Sequence, residues 1–246
     1  MHRDAPGERL RIASYNIRKC MGTDRRRSPE RVLRVIADTD AEITVLQEAD
    51  RRLGPRPAAL PRRAIVEHTA YQPLPVARNE VSLGWHGNAI LVKPWIELEE
   101  VHHIDLPSFE PRGAVAADLR RDGRMLRVIG VHLGLLGNDR LRQLGAISDW
   151  IARQPNLPTL ILGDFNEWSP RASFPPLGPD FRVLAPGPSY HARFRLAPLD
   201  RIAHDRGWQA GPTGLTDHGE ATRASDHLPI WAEMALADRP VVHPVA

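Results

Sequence analysis

The sequence predicts an α/β fold in which packed sheets are covered by a few helices. Three observations carry this. Short apolar runs bounded by turn residues recur along most of the 246 residues, as strands buried on both faces require. A helical apolar period is clear only near residues 29–37 and 138–154. No composition break, internal repeat, heptad pattern or low-complexity block divides the chain. Residues 9–237 are therefore expected to form one domain between loose tails at 1–8 and 238–246.

In chain order, residues 10–17 alternate in part and predict a strand ending near Asn16. A polar loop with Arg25, Arg26 and Arg27 follows. Ser28-Pro29-Glu30 then opens a helix, serine as N-cap and proline at the first helical position, with Val32, Leu33, Val35 and Ile36 as its buried side. Residues 38–42 turn into Ile43-Thr44-Val45-Leu46-Gln47-Glu48, a second strand ending in a carboxylate. Residues 51–63 are a proline- and arginine-rich loop. Strand-like runs are expected at 64–69, 88–93, 113–119 and 125–133, the last two joined by the hairpin turn Asp122-Gly123. Residues 138–154 predict a helix capped by Asn138, with Leu141, Leu144, Ile147 and Ile151 on one face. The apolar run Leu160-Ile161-Leu162 comes next and breaks off in Gly163-Asp164-Phe165-Asn166. Residues 168–190 read as an extended surface loop, and strands at 199–203 and 228–236 close the fold.

Composition sets outer bounds. Hydrophobic residues at 42% and charged residues at 26% are ordinary for a soluble protein. No apolar run approaches the roughly 20 residues of a membrane helix. The first residues lack the apolar core of a secretory signal. The single cysteine, Cys20, has no partner for an internal disulfide, which points to a reducing compartment and a cytoplasmic protein. A net charge of +3 does not by itself argue for nucleic acid. Its distribution says more: residues 1–63 carry fifteen Arg or Lys against nine Asp or Glu, which fits a basic surface beside a phosphate site or a merely solvated face.

Several site types are absent: no Walker-type phosphate loop, no Gly-rich dinucleotide turn after the first strand, no Cys-x-x-Cys pair. What recurs is a polar group at the ends of apolar runs: Asn16, Glu48, His132, Asp164 with Asn166, Asp200, and Asp226 with His227. Each alone is explained by structure, Asp226 as a turn cap and His132 as a core histidine. Together they form a set of hard oxygen donors suited to Mg²⁺ or Mn²⁺, with histidines able to move a proton or stabilise an oxyanion.

In this arrangement the chain resembles the endonuclease/exonuclease/phosphatase superfamily of metal-dependent phosphoesterases. The matching pieces stand in family order over nearly the whole length: Ser14-Tyr15-Asn16-Ile17, Leu46-Gln47-Glu48, Gly87-Asn88-Ala89-Ile90-Leu91, Arg112-Gly113, Val131-His132-Leu133, Gly163-Asp164-Phe165-Asn166, Leu199-Asp200-Arg201-Ile202 and Ser225-Asp226-His227. The resemblance implies a four-layer α/β/β/α sandwich, two mixed sheets flanked by helices, with the site at one edge. It implies Glu48 as principal metal ligand, supported by Asn16 and Asp226. Asp164 would position and deprotonate the attacking water, and Asn166 would hold that water or a phosphoryl oxygen. His227, oriented by Asp200, would contact the phosphate, and His132 would assist at the phosphate or the leaving oxygen. Asn88 and Arg112 are placed against phosphate.

Departures within the family matter. Its abasic-site repair enzymes have a tyrosine at the position of His132 and different residues at Ala49-Asp50. A histidine is closer to the deoxyribonuclease and sphingomyelinase branches, whose disulfide and membrane-insertion features are not visible here. The short bacterial members are most similar, sharing Gly-Asp-Phe-Asn-Glu-Trp and the approach from His132 to Gln143, which puts Arg140, Arg142 or Gln143 at the site mouth; a solvated helix face is the alternative. The expectation is a monomeric Mg²⁺- or Mn²⁺-dependent phosphodiesterase, with nucleic acid (DNA or RNA) first, phospholipid head groups or a small phosphodiester close behind, and an idle binding protein last.

Overall fold

Strand β1 (Leu10–Asn16) lies parallel to β2 (Ile43–Gln47), with register pairs such as Ser14 with Val45, and a parallel pair needs a crossover. Helix α1 (Pro29–Thr39) supplies it. Ser28 Oγ accepts the Arg31 N–H at 3.3 Å, Pro29 takes the first helical position, and Asp40 ends the helix in the left-handed region at φ 48°. The computed structural model describes residues 9–108 and 112–237; the expected tails at 1–8 and 238–246 lie outside the described residues.

The remaining strands are β3 (Gln72–Pro73), β4 (Ala89–Val92), β5 (Glu97–Leu106), β6 (Arg112–Arg121), β7 (Arg124–His132), β8 (Thr159–Asp164), β9 (Arg182–Leu184), β10 (Asp200–His204), β11 (Trp208–Leu215) and β12 (Ile230–Leu236). One sheet runs β11-β12-β1-β2-β4-β3, the other β5-β6-β7-β8-β10-β9. Period-two burial builds the layers. Ile43 and Val45 of β2, Val128 of β7 and Leu160 and Leu162 of β8 meet between the sheets. Leu46 faces outward onto α1, whose Val32, Leu33, Val35 and Ile36 it joins with Ile65 of α2 (Arg62–His68) and Ala221 and Ala224 of α4 (Ala221–Ala224). On the opposite face Ile129, Val131 and Ile161 pack against Leu144 and Ile147 of α3 (Gly137–Ala152). The four-layer α/β/β/α order is the expected one.

Several elements differ from the sequence reading. Residues 64–69 lie mostly in α2 rather than in a strand; a short apolar run has no decisive period, and only Ile65 is buried. Helix α3 begins at Gly137 with Leu136 as N-cap and no side-chain cap bond, so Asn138 is inside it. Its buried face includes Asp139 and Gln143, whereas Leu141 is exposed. Strands β5 and β11 are additions to the expected set. β5 is an edge strand with charged Glu97, Glu99 and Glu100, and β11 is an edge strand interrupted at Gly211-Pro212 by a register shift. Residues 168–190 contain β9 and a short 3₁₀ turn at Pro175–Leu177. The Asp122-Gly123 hairpin is present, with φ of 50° and 75° as its tight turn requires.

Candidate active site

Strand direction explains why distant residues meet. β1, β2, β7 and β8 run toward one edge of the sandwich and end there in or beside Asn16, Glu48, His132 and Asp164. β4, β6, β10 and β12 are antiparallel to neighbours in that group and so begin at the same edge, with Asn88, Arg112, Asp200 and the Asp226-His227 pair at or just before their starts. The first sheet contributes Asn16, Glu48, Asn88, Asp226 and His227. The second contributes Arg112, His132, Asp164, Asn166 and Asp200.

Asp164 is the meeting point. Its Oδ1 accepts the Asn166 backbone N–H at 2.9 Å, and its Oδ2 accepts the Asn16 side-chain amide at 3.0 Å, a bond that joins the two sheets. His132 Nε2 and His227 Nε2 stand 3.6 and 3.7 Å from the same Oδ2. These gaps are too long for hydrogen bonds, so neither imidazole Nε2 is committed to Asp164. Asn166, at φ 52°, donates its amide to Leu133 O at 2.8 Å, which fixes the turn that leaves β8. Gly163 is required just before it, because a Cβ there would fall 1.9 Å from Val131 O on β7.

The two histidines have opposite environments. His227 Nδ1 lies 2.8 Å from Asp200 Oδ2, which also accepts the Ser189 hydroxyl at 2.5 Å. Burial pushes His227 down, but the Asp200 and Asp164 charges outweigh it and raise its pKa to about 10, so it is an imidazolium at neutral pH. Burial also dominates His132 and lowers its pKa against the pull of Asp164, with Arg112 adding to the decrease, so it is neutral. One site thus holds a charged and an uncharged imidazole on either side of one carboxylate.

Glu48 occupies a left-handed conformation at φ 53°, which is strained for a residue of this size. Burial raises its pKa, but its pairing with Lys19 and the nearby histidines hold it below the usual carboxylate range. Asp226 Oδ2 is paired with Arg18 Nε at 3.1 Å, and Ser225 Oγ donates to Asn16 O at 2.7 Å. Asn88 donates its amide to Gly113 O at 2.8 Å, a second bond between the sheets, while its buried Oδ1 has no partner. Glu48, His132 and Arg112 line a cleft of about 280 Å³ whose outer wall includes Lys19, Arg51, Arg52 and Arg56. The first half of the 51–63 segment therefore lines the cleft, whereas Arg62 and Arg63, read as loop in the sequence, open α2.

Three expected mouth residues have other duties. Arg140 ties Leu135 O (2.7 Å) to Glu167 (2.6 Å), linking the loops after β7 and β8. Gln143 is buried and accepts the Gly134 N–H at 2.8 Å. Arg142 is exposed on α3, 3.7 Å from Asp139. Conversely, the sequence assigns no role to four residues that the structure places here: Arg18, Lys19, Ser189, and Arg201 of the Leu199-Asp200-Arg201-Ile202 match. Arg18, Lys19 and Cys20 take positive φ values of 46°, 55° and 61°, a left-handed turn that swings both cations onto the carboxylates and that no residue type announces. The fully buried Arg201 holds Glu167 O and Ser169 O at 3.1 and 3.0 Å, securing the loop beyond Asp164.

The donor chemistry fits a divalent cation. Glu48, Asn16 and Asp226 offer hard oxygens, and two side-chain cations, Lys19 and Arg18, already sit against the two carboxylates. Asp164, Asp200 and His227 also offer ligand atoms within 4.8 Å of one another. That trio is the poorer place, because Asp200 Oδ2 and His227 Nδ1 are already committed to each other.

Residues 13–227 match the model of the Endonuclease/Exonuclease/phosphatase family. Among curated relatives, the uncharacterized protein YbhP of Escherichia coli K12 is 31% identical over 168 residues, 62% of this chain and 64% of that one. The chain thus spans less than two thirds of the curated relatives it matches. Three solved structures share the fold. A functionally unknown conserved protein of Enterococcus faecalis V583 has a TM-score of 0.73 at 22% identity, covering 93% of this chain and 100% of that one. A mannosyl-6-phosphatase of Bacteroides thetaiotaomicron VPI-5482 has 0.73 at 19%, covering 92% and 100%. TDP2 of D. rerio, complexed with a single-strand DNA product, has 0.72 at 16%, covering 94% and 99%.

Proposed function

The chain belongs to the endonuclease/exonuclease/phosphatase family, and on that premise we propose that it is a Mg²⁺- or Mn²⁺-dependent phosphodiesterase that cleaves a P–O bond by direct attack of water. The observation that carries this reading is Asp164 Oδ2, set between the Asn16 amide and two imidazole nitrogens at 3.6 and 3.7 Å. Glu48, with Asn16 and Asp226, would hold the cation, which when bound offsets phosphate charge and polarises the P–O bond.

The residues divide the remaining work. Asp164 takes the proton of the water whose oxygen bonds to phosphorus, as the bond from phosphorus to the leaving oxygen breaks and that oxygen is protonated from solvent. The His227 imidazolium, fixed by Asp200, offsets charge on the phosphoryl oxygens. Neutral His132, on the other side of Asp164, assists at the phosphate or the leaving oxygen through hydrogen bonds of its imidazole. Asn166 holds the turn that aims Asp164, Arg112 meets phosphate from the cleft side, and Asn88, with its amide on Gly113 O, ties the sheets together behind it. The arginine-lined cleft suits a nucleic acid or a lipid head group equally; exposed leucines around it favour the lipid.

A metal-supplemented panel of plasmid, single-stranded DNA, RNA, phospholipid vesicles and a chromogenic phosphodiester, with Asp164→Ala as the blank, tests this. Asp164→Ala is expected to lose about 10²–10⁴-fold in turnover with folding intact. Glu48→Gln is expected to raise the metal concentration needed. Activity unchanged in excess chelator sinks the metal reading, and near-normal turnover by Asp164→Ala sinks the assignment of the base.

A further inference from the structure

Among the described residues ten large apolar side chains are exposed, and six of them stand on the cleft or on the loops at the strand ends that form the site: Leu53, Leu135, Leu136, Trp168, Phe194 and Leu196. Their exposures run from 58% for Trp168 to 86% for Leu53, so none is a half-covered core residue. Leu53 lines the cleft itself. Leu135 and Leu136 come after His132 at the end of β7, and Trp168 after Asp164 at the end of β8. Arg140 binds both loops together. Trp168 stacks edge-on against Tyr190 at 5.8 Å, and Tyr190 lies 5.1 Å from His227. The segment closed by the Tyr190–Ala197 bridge carries Phe194 and Leu196. Of the other four, Val66 lies on α2, Val81 on the loop before β4 and Leu141 on α3, and Trp95 is tied by its indole N–H to Glu42 at 2.7 Å. The six are the larger share, and they belong to the site edge. Cations accompany it: Arg51 and Arg52 beside Leu53, Arg193 beside Phe194, and Lys19 and Arg112 within the cleft.

We propose that this rim is a docking surface for an anionic lipid bilayer, with the leucines and Phe194 entering the acyl boundary, Trp168 at headgroup level and the arginines against lipid phosphate. A patch of this kind is uncommon on a protein that meets only water. A nucleic-acid platform would rely on ring faces for base stacking, whereas four of the six groups are leucines, which have none. Protein interfaces also use arginine, but their energetic centres are poor in leucine, the side chain that dominates this rim. A bilayer accepts both, because its headgroups supply the anions. The substrate inferred for the site, resting on the phosphodiesterase reading, is a phosphodiester at a membrane surface, presented to Asp164 through the cleft.

The test is flotation of the full chain with vesicles of phosphatidylcholine alone and mixed with phosphatidylglycerol, in chelator so that binding is read without turnover. Wild-type protein is expected to float with the anionic vesicles and less with the neutral ones. Leu135→Ser with Leu136→Ser, and separately Phe194→Ser with Leu196→Ser, are each expected to lower partition about tenfold or more without shifting the melting temperature. Absence of flotation, or equal partition by the variants, overturns the proposal. So does loss in the same variants of single-stranded DNA binding or of self-association, with vesicle binding unmoved. A chromogenic soluble phosphodiester separates the two readings. Vesicle binding without hydrolysis of any phosphodiester leaves the docking surface and removes the phosphodiesterase; hydrolysis without vesicle binding does the reverse.

Discussion

Replacing Asp200 by asparagine removes one charge, keeps the shape and leaves a buried imidazole without its counter-ion. Asp200 is fully buried, and its Oδ2 holds His227 Nδ1 at 2.8 Å and the Ser189 hydroxyl at 2.5 Å. Burial is the largest influence on His227, and the Asp200 charge and hydrogen bond, with the Asp164 and Asp226 charges, reverse it to give a pKa of about 10. Without Asp200, burial prevails, and His227 is expected to lose its proton below neutral pH. The interval from the ordinary 6.5 to about 10 corresponds to roughly 5 kcal/mol, close to the ~3–5 kcal/mol expected when one partner of a buried pair is removed. Because the folded pKa is raised, this stabilisation is complete below about pH 6.5 and is lost as pH rises through about 10. Urea unfolding of wild type and Asp200→Asn in chelator at pH 6, 8 and 10 reads the gap directly. Imidazole NMR reads the proton. A gap that stays constant across this range, or a wild-type His227 that titrates near 6.5, refutes the ion-pair account.

Three further outcomes are expected. Lys19→Met frees Glu48 from its ammonium partner, so the apparent affinity for Mg²⁺ or Mn²⁺ by calorimetry should rise about threefold to tenfold; an unchanged affinity argues that the cation binds elsewhere. Gly130→Ala places a Cβ 2.7 Å from Val45 Cγ1 in the opposite sheet, so it should cost about 1–3 kcal/mol in urea unfolding and lower turnover more than tenfold; full activity at reduced stability contradicts the coupling. The buried Arg127 grips Asp118 through two 2.7 Å bonds. Arg127→Met should therefore cost ~3–5 kcal/mol, while Arg127→Met with Asp118→Leu should recover most of it, and no recovery would mean that packing, not charge, sets the loss.

The parts of this molecule legible in sequence are those where local chemistry and tertiary context agree. Ser28-Pro29 announces α1 because capping and proline geometry are local. Glu48, His132 and Asp164 stand out because a polar group ending a fully apolar run has few structural explanations. Strands β5 and β11 are illegible for the converse reason: as edge strands they bury one face, and their Glu and Gly-Pro residues are compatible with pairing only at that location. α2 reads as a strand in sequence because residues 64–69 bury one apolar side chain whichever way they wind. The left-handed turn at Arg18–Cys20 is imposed from outside, by the Lys19 N–H bonding Glu48 O at 3.1 Å. The apolar rim has no sequence signature because its leucines are scattered over three loops and become neighbours only when the strand ends converge.

That convergence makes the site a property of both sheets jointly. Three hydrogen bonds that cross the sandwich at this edge, Asn16 to Asp164, Asn88 to Gly113 and His227 to Asp200, each join a residue of one sheet to a residue of the other. Gly130 lies two residues before His132, facing Val45 closely enough that no Cβ fits without movement. The sheets are therefore in close contact just inside the edge where they bring Asn16, Glu48, His132 and Asp164 together. A side-chain amide bonded across a gap of this kind tolerates little change in its width, and a 1 Å error in placing a reacting group costs about 10² in rate. Inter-sheet packing, ordinarily counted only toward stability, here also sets, in the mechanism we propose, the distance between the carboxylate that takes the proton and the groups that hold the phosphate.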